Sequence, residues 1–133
     1  MTKPFLISFQ KYTSLDNASL FAAESGNEVH FEIKRVFWLS SKDSPLERGH
    51  HALLLTQQIL IALNGEVRIE FENQQGEKLE FVLSDQGKGV YIPPMWWHVI
   101  YYLKNSSFMV MASTLYDESD YIRDYSTFKS YKL

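Results

Sequence analysis

The stretch QILIALNGEVRIEF, residues 58–71, decides the fold because it places a tight-turn signal between two runs typical of β-strands. Residues 58–63 form an apolar run that ends at Asn64-Gly65, a dipeptide that strongly favours a two-residue hairpin turn. Residues 66–71 then alternate apolar and polar side chains, as expected for a strand with one buried face. The stretch therefore predicts an antiparallel hairpin near the middle of the chain.

The same pattern extends to both sides of this hairpin. Further candidate strands are residues 4–9, 32–39, 78–83, 90–92, 98–103 and 108–113, with loops or turns at 40–47, 73–77, 84–89 and 104–107. Short strands at this spacing are typical of an all-β antiparallel sandwich or barrel. In the tail, residues 117–120 are expected to cap a short helix that carries Tyr121, Tyr125 and Phe128 on one face.

Composition limits the classes of protein to which the chain can belong. Its 133 residues fit one domain, residues 1–133, with 45% apolar and 15% aromatic residues. The 13 basic and 16 acidic residues include no basic stripe, so we expect no nucleic-acid partner. The absence of cysteine excludes disulfide frameworks and thiolate catalysis. The apolar run at residues 5–9 is too short for a signal peptide or a membrane span, so we expect a cytoplasmic protein without membrane contact.

Two spaced motifs contain the candidate functional histidines. The first reads RGHHAL at residues 48–53 and continues to Gln58 and Gly65. The second comprises Gly87, Pro93, Met95 and His98. The spacing resembles that of the two cupin motifs, with Met95 in place of a glycine. This resemblance implies an all-β fold, a cupin or jelly-roll barrel of antiparallel strands with a short C-terminal helix, and a pocket around His51 and His98.

The residues at the cupin ligand positions argue against a metal. Cupin metal centres use three histidines and a carboxylate, whereas this chain has Leu53 and Gln58 at two of those positions. Two imidazoles alone rarely hold a divalent ion, which usually takes three or four protein ligands. We therefore expect no metal ligands and no other cofactor.

A closer resemblance comes from local sequence. KRV at 34–36, ERG at 47–49, GVYI at 89–92 and YDESDYIR at 116–123 resemble the dTDP-4-keto-6-deoxyhexose 3,4-ketoisomerase family, also called WxcM-like. The resemblance covers about residues 5–131. It implies metal-free proton transfer between C3 and C4 of a dTDP-linked keto-deoxysugar, through an enediol. It also implies a homodimer with exchanged N-terminal strands.

The resemblance assigns roles to three residues. His51 is the expected base, because imidazole is the natural proton acceptor near neutral pH. Arg48 and Arg35 are expected to polarise the sugar carbonyls or to bind diphosphate, although each could instead form a surface ion pair.

The chain also departs from the family pattern at the expected proton-handling positions. Leu53 replaces the second histidine of Arg-Gly-x-His-Ala-His, and Phe37-Trp38 replaces a family Tyr-Tyr pair. Neither leucine nor phenylalanine can move a proton. His50 offers no replacement, since on a strand it would face away from His51.

Four further residues are candidates for substrate binding: Gln58, Trp97, His98 and Tyr102. Each has a structural alternative, namely a buried amide or imidazole satisfied within the core, or a ring that fills the barrel. The charges of Glu118, Asp120 and Arg123 are interpreted as helix-end charges without a role in chemistry.

Three functions remain open from the sequence. The first is a ketoisomerase with His51 as base, and the second is a cupin that binds nucleotide sugars without isomerising them, as the loss at Leu53 would favour. The third is an epimerase-like enzyme that pairs His51 with a different acid, such as Tyr102.

Overall fold

The computed structural model describes residues 2–42, 46–103 and 105–133. Twelve strands are present within these ranges: β1 Phe5–Ser8, β2 Gln10–Thr13, β3 Ser19–Ala22, β4 Arg35–Ser40, β5 Leu46–Leu53, β6 Gln58–Asn64, β7 Val67–Glu72, β8 Lys78–Leu83, β9 Lys88–Ile92, β10 Trp97–Tyr102, β11 Ser107–Ala112 and β12 Tyr121–Ile122. One α-helix, α1 (Tyr125–Ser130), follows them. The prediction of an all-β fold with a short C-terminal helix is confirmed.

The strands form two five-stranded antiparallel sheets and one separate hairpin. Sheet I has the order β1-β9-β6-β11-β4, and sheet II has the order β12-β5-β10-β7-β8. The strands β2 and β3 pair only with each other. Most neighbours in each sheet are distant in sequence, which is the connectivity of a jelly-roll barrel.

The barrel core lies between the facing surfaces of the two sheets. Alternate side chains of sheet I, including Leu60 and Val110, meet Ile69 and Ile100 of sheet II, and all four are at most 7% exposed. A second apolar cluster covers part of the outer face of sheet I, where residues 29–31 pack on β6 and β11. The apolar run of β6 therefore sends Leu60 into the barrel, while Ile59 and Ile61 lie beneath the N-terminal segment.

Several predicted boundaries change in the structure. The loop predicted at residues 40–47 is shorter, because β5 begins at Leu46, although residues 43–45 lie outside the described ranges. The turn predicted at 104–107 includes Lys104, which also lies outside them, and Ser107 already belongs to β11. Two strands of the hairpin, β2 and β3, were not predicted at all.

The tail corrects a prediction about its helix. The Asp117 side chain caps only a 3-10 turn, Glu118–Asp120, and Tyr121 then continues as the extended strand β12 against β5. The helix α1 starts after Asp124, whose carboxylate accepts a hydrogen bond from the Thr127 amide at 2.9 Å. Tyr121 is therefore not on the helix face with Tyr125 and Phe128, because pairing with β5 holds its backbone extended.

Candidate active site

The two candidate histidines lie side by side on neighbouring strands of sheet II. His51 of β5 pairs directly with His98 of β10, and their rings meet edge to face with centroids 4.8 Å apart. His98 is only 1% exposed, whereas His51 is partly exposed. The sequence prediction that both belong to one cluster agrees with this geometry, with His51 closer to solvent.

A bulge in β5 brings His51 to its position. The pairing shifts between His98 and Val99, so that His98 faces His51 while Val99 faces Gly49, and His50 is the extra residue. Gly49 has φ +93°, and a Cβ there would lie 2.7 Å from the His98 carbonyl oxygen. Only glycine fits both the conformation and the close approach.

The bulge also decides which side chains share a face. Arg48 pairs with Ile100 and His51 pairs with His98, and these two β10 residues point to the same side of the sheet. Arg48 and His51 therefore face the same way, although strict alternation would separate residues three apart. His50 instead projects into solvent, where its Nε2 lies 3.0 Å from Glu47 Oε1.

Burial keeps both imidazoles neutral. Desolvation first, and then electrostatic interaction with His98 and Arg123, lower the pKa of His51 to about 3. Burial also lowers the pKa of His98 to about 4, partly opposed by its hydrogen bond to the Trp96 carbonyl. An imidazole that is neutral at pH 7 can accept a proton, as a general base must.

The ring nitrogens of the two histidines are in different situations. His98 Nδ1 lies 3.1 Å from the Trp96 carbonyl oxygen, which only accepts hydrogen bonds, so this nitrogen carries the proton. His51 Nδ1 is buried without a hydrogen-bond partner among the described residues. This leaves His51 Nε2 as the ring nitrogen available to a ligand.

Next to His51 opens a cavity of about 430 Å³ whose lining includes Arg48, His51, Tyr102 and Arg123. Arg48 Nε donates a long hydrogen bond of 3.4 Å to the Tyr102 hydroxyl. Tyr102 is 2% exposed, so its ring fills the barrel and its hydroxyl supports Arg48. The cavity places two guanidinium groups beside the neutral imidazole.

Arg35 lies on β4, the edge strand of sheet I. Its guanidinium carbon is 5.4 Å from the centre of the Phe37 ring and 5.5 Å from the centre of the Tyr116 ring. Its Nε is buried, and no group in the described part of the chain accepts a hydrogen bond from it. A buried donor without an acceptor is costly, which marks Arg35 as a candidate for contact with an anionic or carbonyl oxygen of a ligand.

The tail contributes a cluster that the sequence interpretation missed. The Tyr121 ring lies edge to face with His51 at 5.0 Å, and the Arg123 guanidinium carbon is 4.5 Å from the centre of the Tyr121 ring. Glu118 accepts two hydrogen bonds from Arg123, at 2.6 and 3.0 Å, and a further one from the Tyr116 hydroxyl. Arg123 and Tyr116 hold the pKa of Glu118 well below its usual range.

Asp120 fixes this cluster to the barrel. The residue is 9% exposed, and its carboxylate accepts hydrogen bonds from the Leu55 amide at 2.7 Å, the Thr56 amide at 3.3 Å and the Thr56 hydroxyl. Residues 118–123 therefore do not belong to one helix, since β12 separates the 3-10 turn from α1, and Tyr121 and Arg123 lie beside His51. The YDESDYIR motif at residues 116–123 carries this signal in the sequence, but its spacing also fits a helix.

The other predicted site residues have different positions. Gln58 is 3% exposed and belongs to the interior-facing set of β6 with Leu60. Trp97 lies on the opposite face of sheet II from His98, with its ring 5.4 Å from Tyr125 and 5.6 Å from Phe128. Leu53 is 1% exposed and pairs with Tyr121. Trp97 therefore packs against α1 and does not join the His51 cluster.

Two further features concern metals and membranes. Within the described ranges, no three His, Cys, Asp or Glu side chains are grouped as the ligands of a metal ion would be. No helix in those ranges combines the length and the hydropathy that crossing a membrane requires. The expectation of a cofactor-free, cytoplasmic protein stays a prediction.

Comparison with known proteins gives the family. The family model FdtA, described as WxcM-like, C-terminal, matches residues 2–133. The TDP-4-oxo-6-deoxy-α-D-glucose-3,4-oxoisomerase of Aneurinibacillus thermoaerophilus is 35% identical over 127 residues, which cover 95% of this chain and 90% of that protein.

Solved structures agree with this match. QdtA, a sugar 3,4-ketoisomerase from Thermoanaerobacterium thermosaccharolyticum in complex with TDP, has a TM-score of 0.88 at 32% identity, covering 95% of this chain and 91% of that one. WlaRA, a TDP-fucose-3,4-ketoisomerase from Campylobacter jejuni, has the same TM-score and identity, covering 96% and 94%. The RmlC epimerase of Mycobacterium tuberculosis shares the fold alone, at 16% identity and a TM-score of 0.76, covering 93% and 70%. The chain therefore belongs to the FdtA, or WxcM-like C-terminal, family, whose members it matches over nearly its whole length.

Proposed function

We propose that this protein is a sugar-nucleotide 3,4-ketoisomerase that acts on a dTDP-linked 4-keto-6-deoxyhexose. It moves a proton between C3 and C4 of the sugar and so converts the 4-keto sugar into a 3-keto sugar. The proposal rests on the family to which the chain belongs and on the names of its relatives.

The observation that carries the proposal is the state of His51. Its imidazole is neutral, adjoins the cavity, and has its Nδ1 buried, so Nε2 is the nitrogen free to meet a substrate carbon. Proton abstraction next to a carbonyl requires a base in this state. We assign His51 as the base that takes the proton from C3.

The two arginines have separate roles in the proposal. Arg35 presents a buried Nε without an acceptor and is assigned to the sugar oxygen on which negative charge develops. Arg48 adjoins the cavity with Arg123, and this pair of guanidinium groups suits a diphosphate. Gln58, His98 and Tyr102 are buried at 3% exposure or less, so their assigned part is to hold the cleft in shape around the sugar.

The test is incubation of the protein with dTDP-4-keto-6-deoxyglucose in deuterated water, followed by NMR. The proposal predicts a shifted keto group and deuterium on the sugar ring. A protein that binds the sugar nucleotide by calorimetry, yet neither exchanges the C3 proton nor moves the keto group, contradicts it.

That contrary outcome corresponds to a second candidate, a protein that binds nucleotide sugars without isomerising them. Leu53 and Phe37 favour it, because a buried aliphatic side chain and a ring without hydroxyl stand where the family pattern has proton carriers. The retained, neutral His51 favours the isomerase.

We also infer that the protein forms a homodimer through sheet I. Its edge strand β4 exposes Val36 and Trp38 on the outer face, at 44% and 70%, beside the partly covered Met109. An open strand edge next to exposed apolar side chains is typical of a surface that another chain covers. Light scattering should give twice the chain mass, and Trp38→Glu should shift it toward the monomer; a monomeric wild-type protein contradicts the dimer.

A further inference from the structure

Tyr121 presents a hydroxyl-bearing ring directly to the candidate base. The strand β12 pairs with β5 so that Tyr121 lies opposite Leu53, the position at which the family histidine is missing. The Tyr121 ring is perpendicular to that of His51, with centroids 5.0 Å apart. The Tyr121 ring therefore lies against the imidazole that lines the cavity.

The surroundings of Tyr121 hold its ring and leave its hydroxyl free. The Arg123 guanidinium stacks on the ring at 4.5 Å, and Asp120, the residue before Tyr121, accepts a hydrogen bond from the Leu55 amide between β5 and β6. No group in the described part of the chain forms a hydrogen bond with the Tyr121 hydroxyl.

The other phenols near the cleft are already engaged. The Tyr116 hydroxyl donates to the Glu118 carboxylate, which raises the Tyr116 pKa, and the buried Tyr102 hydroxyl accepts from Arg48. Tyr121 is thus the phenol whose hydroxyl stays available to a ligand.

Exchange of a keto group between C3 and C4 needs two kinds of proton transfer. One proton moves between the two carbons, and another must leave the hydroxyl at C3 while one arrives on the oxygen at C4. His51 can serve the carbons. Phe37 and Leu53 cannot serve the oxygens, and His98 is 1% exposed beneath His51.

We propose that Tyr121 is a further catalytic residue, which carries the proton between the two sugar oxygens. This inference rests on the proposed function. His51 Nε2 takes the C3 proton, the C3–H electrons form the C3=C4 bond, and the carbonyl π electrons move to the oxygen at C4, which takes the Tyr121 proton. The tyrosinate then removes the proton from the hydroxyl at C3 as the C3=O bond forms, and the C3=C4 electrons take the proton from His51 at C4. Both side chains end as they began.

The test compares Tyr121→Phe with the wild-type protein in deuterated water. This change keeps the ring against His51 and removes only the hydroxyl. Two rates are measured with dTDP-4-keto-6-deoxyglucose: deuterium entry at C3 of recovered substrate, and formation of the 3-keto product. Because C3 exchange needs no loss of the hydroxyl proton, it should fall less than product formation, and the ratio of exchange to product should rise at least about tenfold.

Matched controls separate this role from a structural one. Tyr125→Phe removes a phenol on the other face of sheet II, where it contacts Glu72, and should leave both rates unchanged. If the wild-type protein is active but Tyr121→Phe leaves the ratio of C3 exchange to product formation unchanged, the role of Tyr121 is overturned and the proposed function stands. This holds whether both rates stay the same or fall in parallel. A wild-type protein that neither exchanges nor isomerises overturns the proposed function, and this inference with it.

Discussion

The strands β4 and β5, here called the two walls of the candidate site, acquire their candidate functional side chains in different ways. On β4, regular alternation turns Arg35 and Phe37 toward the barrel interior and Trp38 outward. On β5, alternation is broken by the bulge at His50, and only that break brings Arg48 and His51 to one face. One wall therefore follows from the pattern of side chains, and the other depends on one irregular backbone position.

The walls also differ in the chemistry that they retain. The β5 wall keeps a neutral imidazole and, through the tail, a phenol, whereas the β4 wall keeps a guanidinium beside a ring that lacks a hydroxyl. The comparison suggests that proton transfer is concentrated on the β5 side and charge stabilisation on the β4 side. Four predictions test this division.

The largest effect is expected from removing His51, the proposed base on the β5 wall. His51→Gln should lower both C3 exchange and product formation by about 10³-fold, within the usual range for a general base. His30→Gln is the matched control, since His30 packs against Phe5 and Tyr91, away from the cleft. Loss of product formation with retained C3 exchange would show that another group removes the proton.

The second prediction concerns the two histidines of sheet II and the stability of the folded protein at low pH. The pKa values of His51 and His98 are lowered on folding to about 3 and about 4, so below pH 6.5 the unfolded chain binds more protons than the folded one. The contribution of these two neutral histidines to the free energy of unfolding is therefore fully present above pH 6.5 and is lost as the pH falls toward 4. The free energy of unfolding should drop by about 2 kcal/mol for each histidine between pH 7 and pH 5.

Urea unfolding at the two pH values measures this drop. In the variant His51→Gln the free energy of unfolding should drop less between the two pH values, because only His98 still contributes to the drop. Equal drops in the variant and the wild-type protein would mean that the His51 imidazole is not desolvated by the fold.

The third prediction tests the bulge itself. Gly49→Ala combines a positive φ with a Cβ placed 2.7 Å from the His98 carbonyl, and should lower the free energy of unfolding by about 2–3 kcal/mol. Gly76→Ala is the control, because it shares a positive φ but has open space, and should cost about 1 kcal/mol. Equal costs in denaturant titrations would show that the contact with His98 is unimportant.

The smallest effect is expected from restoring the family histidine at position 53. Leu53→His should raise the rate of product formation by about threefold to tenfold, since the restored imidazole would lie on the β5 wall opposite Tyr121. Leu53→Gln is polar but cannot transfer a proton, so it should not raise the rate. The same change in both variants would attribute the effect to polarity alone.

The contrast between the walls also explains what could be predicted from sequence. The hairpin at residues 58–71 follows from alternation and its Asn-Gly turn, and the structure confirms strands there as β6 and β7. The pairing of His51 with His98 agrees with the two spaced motifs. These are local or regularly spaced signals.

The features of the site that could not be predicted from the sequence depend on an irregular backbone position or on pairing between strands that are distant in sequence. Trp97 was a candidate for substrate binding, but neighbours on a strand point to opposite faces, and Trp97 packs on α1, away from His98. The spacing of Tyr121, Tyr125 and Phe128 fits a helix, and Arg123 was interpreted as a helix-end charge, whereas pairing with β5 draws Tyr121 into a strand. No local pattern records a strand of two residues whose partner lies almost 70 positions earlier.

The anchoring of Asp120 has a consequence for the order in which the molecule is completed. Eleven strands, β1–β11, precede residue 113, while the phenol, the guanidinium and the carboxylate that flank His51 come from residues 116–123. During synthesis the barrel strands leave the ribosome before the segment that finishes the cleft. A chain cut by a protease between residues 113 and 116 would keep every strand of the core and yet present His51 without its tail neighbours.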